Sequence, residues 1–205
     1  MAGETTSTIV NVGYRSTNYW VVSAGRSRLL VDLGWPGTMA TLGAELARKD
    51  VPLDEIRYGL ATHYHMDHAG LGQELKAAGV PLLVVDLQIP AIAAMKQWMK
   101  PQDHYVEITA HDNVTVSCDG SRQLLGEIGI AGQILHTPGH SDDSVSLLLD
   151  DGTAFTGDLT LPMMADDDNR EAVSASWRLL RERGASRICP GHGPMRPFGA
   201  VGPAI

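Results

Sequence analysis

The chain has 205 residues, a formal net charge of −8, 43% apolar residues and 20% charged residues. This is ordinary globular composition, and the length suits one domain with a core of its own. An acidic chain without a basic footprint argues against a nucleic-acid partner, and no apolar run approaches the roughly 18 residues of a membrane span.

The stretches STIVNVG, NYWVVSA and SRLLVDLG are β-branched or Leu-rich and punctuated by Gly and Ser, which predicts three strands. Residues 38–49 carry helical periodicity through Met39, Leu42, Leu46 and Ala47. IRYGLATH predicts a strand that runs directly into a histidine-rich loop, and residues 69–79 a helix ending at Gly79. PLLVVD predicts a buried strand, and residues 90–99 a helix with Pro90 in its first turn. NVTVS predicts a strand, SRQLLGEIG a helix capped by Ser121, and AGQILHT another strand. SVSLLLDDGTAFTGD predicts a hairpin turning at Asp151-Gly152. A helix over 169–183, a strand at RICP and a loop at GHGPMRP complete the chain. Arg178, Arg181, Arg183 and Arg187 are interrupted by Glu182 and read as a solvated face. No linker or repeat divides the sequence, so we expect one domain over 1–205, with a short tail at about 197–205. Interspersed strands and helices suggest sheets covered by helices.

Cys118 and Cys189 lie far apart and form neither a disulfide framework nor a zinc-finger spacing. Two free thiols suit a reducing compartment. MAGETTSTIV has no basic n-region, so we expect no signal peptide and a cytoplasmic location. Cys189 reads as a small buried strand residue.

The chemistry concentrates in the histidines. In ATHYHMDHAG, residues 61–70, three imidazoles and a carboxylate crowd one short loop. His63 and His65 are two apart and share one face of an extended segment. Asp67 and His68 follow where the chain turns toward a helix, so they can point elsewhere, and one loop can serve two adjacent ions. His140 and His192 follow later predicted strands in Gly-containing loops, as does the carboxylate Asp158. Strand-end loops on a rigid sheet are where metal and catalytic groups are displayed. Imidazole and carboxylate without thiolate suit zinc, iron or manganese in an open catalytic site. His104, His111 and His136 have no such company and read as solvated or hydrogen-bonded side chains; His136, four before His140, could also sit behind that ligand.

These motifs resemble the metallo-β-lactamase superfamily. THYHMDHAG is similar to its His-x-His-x-Asp-His signature, and TPGHS (137–141), TGDL (156–159) and the PGHG ending at Gly193 follow in the family's order. VDLGWPG supplies Asp32, similar to the family's early strand-end aspartate. The resemblance implies an α/β (α+β) architecture, a four-layer αββα sandwich with metals along one edge of the two sheets. It implies that His63, His65 and His140 bind one ion, that Asp67, His68 and His192 bind a second, and that Asp158 bridges both. Asp32 would orient a ligand from behind rather than bind metal. A bridging aspartate resembles the glyoxalase II and lactonase branches and not true β-lactamases, and His65, which is not Glu, separates the chain from the diiron flavoproteins. We expect no counterpart of the basic glutathione-binding region of glyoxalase II, and Leu161 stands where acyl-homoserine lactonases usually carry Tyr.

The implied activity is that of a metal-dependent hydrolase using two divalent ions, zinc first, with iron or manganese compatible. A metal-bridging hydroxide would attack a small ester, thioester or lactone, with Asp67 steering the proton and Asp158 holding both ions. The expected partner is a small-molecule substrate, with no nucleic acid and no membrane; the oligomeric state is not set by the sequence. For the substrate pocket we expect residues 87–111, with Met95, Trp98, Met99, His104 and Tyr105; the same i, i+3, i+4 spacing of Met95, Trp98 and Met99 also fits a core stripe. LPMMADDDNR, with Leu161, is the second candidate, and Asp166, Asp167 and Asp168 read as a solvated turn. The alternatives are a mononuclear non-haem iron persulfide dioxygenase, a β-lactam- or phosphodiester-hydrolysing member of the same fold, and a metal-binding module without turnover.

Overall fold

The computed structural model describes residues 7–201. Thr8–Asn11 (β1), Trp20–Ala24 (β2) and Ser27–Val31 (β3) pair antiparallel in turn. Helix α1 (Met39–Arg48) then carries the chain back to Ile56–Leu60 (β4), which pairs parallel with β3. Two short helices follow, α2 (Met66–Ala69) and α3 (Gly72–Ala77), and then β5 (Leu83–Val85). Gly59 bridges to Leu82, which joins β5 to the edge of this sheet. Helix α4 (Ile89–Met95) leads to β6 (Val114–Val116), parallel to β5.

The second half builds a second sheet. Helix α5 (Ser121–Glu127) precedes β7 (Gly132–His136), and β8 (Val145–Leu149) and β9 (Thr153–Gly157) form the hairpin turning at Asp151-Gly152. Helix α6 (Arg170–Glu182) crosses over to β10 (Arg187–Pro190), parallel to β9, and β11 (Arg196–Pro197) closes the edge. The order is β11-β10-β9-β8-β7.

Alternation within the strands makes the layers. In β2 and β3, Trp20, Val22, Leu29 and Val31 face inward, against Ile134, Val145, Leu147 and Phe155 of the second sheet. Their neighbours Val21 and Leu30 face outward, under Leu42, Leu46 and Leu75 of the helices. On the far side, Leu148, Ala154 and Ile188 lie under Val173, Trp177 and Leu180 of α6. The result is the expected αββα sandwich, with period-2 strands buried on both faces and helices presenting one apolar stripe each. No helix among the described residues is long and apolar enough to cross a membrane.

Four local expectations are corrected. The helix expected over 69–79 is broken, because the His68 carbonyl accepts from Leu33 N–H at 2.6 Å instead of continuing a helical ladder, and Leu71 N–H donates to Gly34. Ser121 does not cap α5; Gly120 holds that position, while the buried Ser121 hydroxyl donates to the Cys118 carbonyl and accepts from Ile134 N–H. The helix expected over 90–99 ends at Met95 and tightens into a 3₁₀ turn over Lys96–Trp98. The expected tail at 197–205 is in part core: Phe198 and Val201 are buried against α6, and residues 202–205 lie outside the described residues.

Candidate metal centre

The two sheets end together at one edge. The segment after β4 passes from the first sheet to the second, where Thr62 carbonyl accepts from Val145 N–H at 2.8 Å. Buried Gln88 clamps this crossing, its amide donating to the carbonyls of Ala61, Thr62 and Asp143. His63 and His65 therefore leave a fixed backbone, and the turn into α2 swings Asp67 and His68 to the other side. From the second sheet, the loop after β7 brings His140, the end of β9 brings Asp158, and the loop after β10 brings His192. That last loop is tied to the first sheet: Asn18 side-chain amide donates to the carbonyls of Pro190 and Gly193, and Trp20 indole to Pro190.

The seven side chains converge. His63, His65 and His140 form one group, Asp67, His68 and His192 another, and His63, His68 and Asp158 a third between them; within each group the candidate ligand atoms lie within 4.8 Å of one another. Asp158 reaches both sides: Oδ1 is 3.3 Å from His68 Nε2, and Oδ2 is 3.3 Å from His192 Nε2 and 3.8 Å from His140 Nε2.

The tautomers follow from the hydrogen bonds. Asp32 accepts at Oδ1 from both the amide and the hydroxyl of Thr62, each at 2.8 Å. The Thr62 hydroxyl has given its single proton there, so at 3.2 Å from His63 Nδ1 it can only accept, and His63 carries its proton on Nδ1. His68 Nδ1–H donates to Asp32 Oδ2 at 2.9 Å. His192 Nδ1–H donates to the Ser16 carbonyl at 2.8 Å. Each bond turns the Nε2 lone pair of its ring into the cluster.

His63 Nε2, His68 Nε2 and Asp158 Oδ1 are buried with no hydrogen-bond partner. An orphaned buried atom costs about 1–3 kcal/mol, and His63 Nε2 is one; His68 Nε2 and Asp158 Oδ1 face each other at 3.3 Å and pair when His68 is charged. Lone pairs aimed at one another, on imidazoles oriented from behind by carboxylate and carbonyl, make a donor set that fits divalent cations. Gly191 keeps the space open: a Cβ there would run into Asp158 Oδ1 and come within 2.6 Å of His68 Cε1. Gly157, at φ +50°, is likewise pressed against Thr62.

The electrostatics follow the same division. Burial, reinforced by the neighbouring imidazoles, holds the His63 pKa well below the ordinary histidine value. Burial also opposes charge on His68, but Asp32, Asp158 and Asp67 outweigh it and hold that pKa well above the ordinary value. Burial would raise Asp67 and Asp158; His68 beside both, with the Thr17 hydroxyl on Asp67, keeps both carboxyls below the ordinary range.

The expected pocket residues separate. Leu161 lines a cleft of about 300 Å³ with His140, Asp158, His192, Met164 and Arg196. Residues 87–111 do not line it. Met95 is buried in the core, Met99 and Tyr105 pack against that core, and Trp98 is 73% exposed. His104 borders a separate hollow with Trp35 and Met66. His136 is exposed and bonded to the Asp142 carbonyl, so it supports no ligand. Asp166 accepts from the amides of Asp168 and Asn169, which makes the acidic run a solvated turn opening α6. Cys189 is buried, which pushes its thiol up to about 12. Sequence reasoning missed Thr62, Ser16, Asn18 and Gln88; of these only Thr62, beside the first histidine, carries a local signal.

A family model described as the metallo-β-lactamase superfamily matches residues 12–192. The chain belongs to the metallo-β-lactamase superfamily. As a member of it, the chain is similar to the β-lactamase-like protein 2 homolog of Drosophila melanogaster, at 28% identity over 91% of this chain and 62% of that protein. It is similar to an atrochrysone carboxyl ACP thioesterase of Aspergillus fumigatus, at 30% identity over 87% of this chain and 38% of that protein. The chain spans only part of the length of these curated relatives, 62% of one and 38% of the other. Among solved structures it resembles TTHA1623 in a di-iron-bound form, with TM-score 0.71, 24% identity, and 94% and 95% of the two chains covered. It also resembles the BLEG-1 B3 metallo-β-lactamase, with TM-score 0.69, 21% identity and 95% of each chain covered. At these identities the structural likeness carries the superfamily fold.

Proposed function

We propose that the chain is a dinuclear metal-dependent hydrolase acting on a small ester, thioester or lactone. The observation that carries this reading is the set of buried, unpartnered ligand atoms on His63, His68 and Asp158, flanked by a complete group of three residues on each side. His63, His65 and His140 would hold one ion, Asp67, His68 and His192 the other, and Asp158 would serve both. Bound divalent ions supply an acidified water, of pKa near 7 for zinc, and polarise a carbonyl oxygen. The protein's own residues do the rest. Asp32 fixes His68 directly and His63 through Thr62, so neither ring can rotate its lone pair away. Thr17 donates to Asp67 Oδ2 at 2.9 Å and so keeps that carboxylate oriented at the cluster. The cleft beside His140 and His192 admits an acyl group against the more open side of the cluster, and its size suits a small compound.

The thioesterase and the di-iron protein among the similar chains support the choice of acyl transfer to water and of two ions. The test is reconstitution with zinc, manganese or iron, followed by a panel of p-nitrophenyl esters, acyl thioesters and lactones. Turnover that saturates at two ions per chain is expected; oxygen consumption with a thiol persulfide at one iron per chain would replace this reading with the dioxygenase.

A further inference from the structure

We propose that Arg196 anchors an oxyanion group of the substrate, so that the compound hydrolysed carries a carboxylate or phosphate a short distance from its scissile acyl group. This rests on the hydrolase reading above and names its substrate class.

Arg196 sits on β11, opposite Ile188 of β10, the strand whose following loop delivers His192. This register brings its side chain to the cleft that His140, Asp158 and His192 line. Arg196 is half-buried, and its Nε is buried with no hydrogen-bond partner. In this half Arg122 pairs with Asp150, Arg170 with Asp167 and Arg187 with Asp151. Among the described residues no carboxylate pairs with Arg196. A buried Nε–H without an acceptor costs stability, and the planar guanidinium fork matches a carboxylate or phosphate in two parallel hydrogen bonds. In a chain of net charge −8, an uncompensated cation beside the metal-ligand cluster stands out as a recognition group.

The remaining wall is apolar and adaptable. Leu161 and Met164 line the cleft, and Met164 is 72% exposed. Their chain neighbours Met163 and Met195 are exposed as well. The unbranched thioether of Met164 accommodates apolar groups of different shape. None of Asp166, Asp167 and Asp168 in the acidic turn after it lines the cleft; Asp166 accepts from backbone amides and Asp167 pairs with Arg170. The substrate class is therefore an acyl compound with an apolar body and an anionic tip.

The test uses the metal-loaded full chain, with metal content measured for every variant. Mono-p-nitrophenyl glutarate, its phosphonate counterpart and the neutral p-nitrophenyl pentanoate are compared for wild type, Arg196→Ala and Arg196→Lys. The ratio of kcat/KM for anionic over neutral ester should fall about tenfold in R196A, chiefly through KM, and recover in part in R196K. The better of the two anionic esters identifies the group. A ratio equal in wild type and R196A overturns the proposal. Calorimetric binding of glutarate separates the two readings. If no ester is cleaved but glutarate binds about tenfold more weakly to R196A, the hydrolase reading fails and the anchor stands. If no ester is cleaved and glutarate binding does not differ, the anchor fails too.

Discussion

Asp32 binds His68 through one carboxylate oxygen, at 2.9 Å, and through the other holds Thr62, on whose hydroxyl His63 rests. One buried carboxylate thus sets the tautomers of two imidazoles that belong to different halves of the cluster. Its backbone is held at φ +62°, a region that Asp and Asn tolerate better than other side chains.

Asp32→Asn is therefore the informative change, since it keeps the shape and backbone preference while removing the charge and an acceptor. Metal affinity should fall about 10- to 100-fold with the fold retained. Competition with a chromophoric chelator measures this, and circular dichroism checks the fold. An affinity within twofold of wild type would mean that Asp32 serves the fold alone.

Asp158 touches both sides of the cluster, so Asp158→Ala should reduce ion stoichiometry from about two to about one and remove nearly all hydrolysis. Elemental analysis of the dialysed variant, beside its rate on an ester that the wild type cleaves, reads both. Full stoichiometry would show that the carboxylate does not bridge.

Gly191→Ala places a methyl group against Asp158 and His68. Forcing an atom into a packed site costs about 1–3 kcal/mol, and here the displaced atoms belong to two candidate ligands. Metal binding should weaken more than the metal-free chain is destabilised. Chelator competition and the thermal midpoint of the metal-free variant separate the two effects.

The carboxylates around His68 hold it charged above the ordinary histidine value of 6.5 when no cation is bound. Cation and proton compete for the same Nε2, so binding at pH 7 should release about one proton from this group and affinity should rise with pH. The sign follows from the direction of the shift: below about 6.5 both free and folded His68 are protonated and competition is strongest. Calorimetry of metal binding in two buffers of different ionisation enthalpy counts the protons. A heat independent of buffer would contradict a protonated His68.

Met95 and Trp98 make a matched pair away from the cluster. Met95→Ala should cost about 2–5 kcal/mol as a core truncation. Trp98→Ala, at a side chain 73% exposed, should shift stability by less than about 0.5 kcal/mol. Neither should alter KM, and a changed KM in the Trp98 variant would restore residues 87–111 to the substrate site.

The cluster is legible in the sequence because ligand chemistry is written in side-chain type, and because His63, His65, Asp67 and His68 fall where a strand must end. The sandwich is legible for a similar reason: strands such as β2 and β3 alternate between two buried faces. The supports behind the ligands are not. Ser16 acts through a backbone carbonyl, which every residue has, and Gln88 acts through a contact between distant loops. Arg196 depends on its register with Ile188, which no local pattern encodes. The spacing of Met95, Trp98 and Met99 misleads because α4 tightens into a 3₁₀ turn at Lys96, which rotates Trp98 off the core face.

The most direct test of two ions held by seven side chains is the metal content of freshly purified protein, identity and stoichiometry together, by elemental analysis. About two zinc, iron or manganese ions per chain are expected, falling to about one in Asp158→Ala. A single ion per chain that persists after saturation with metal would contradict the dinuclear centre.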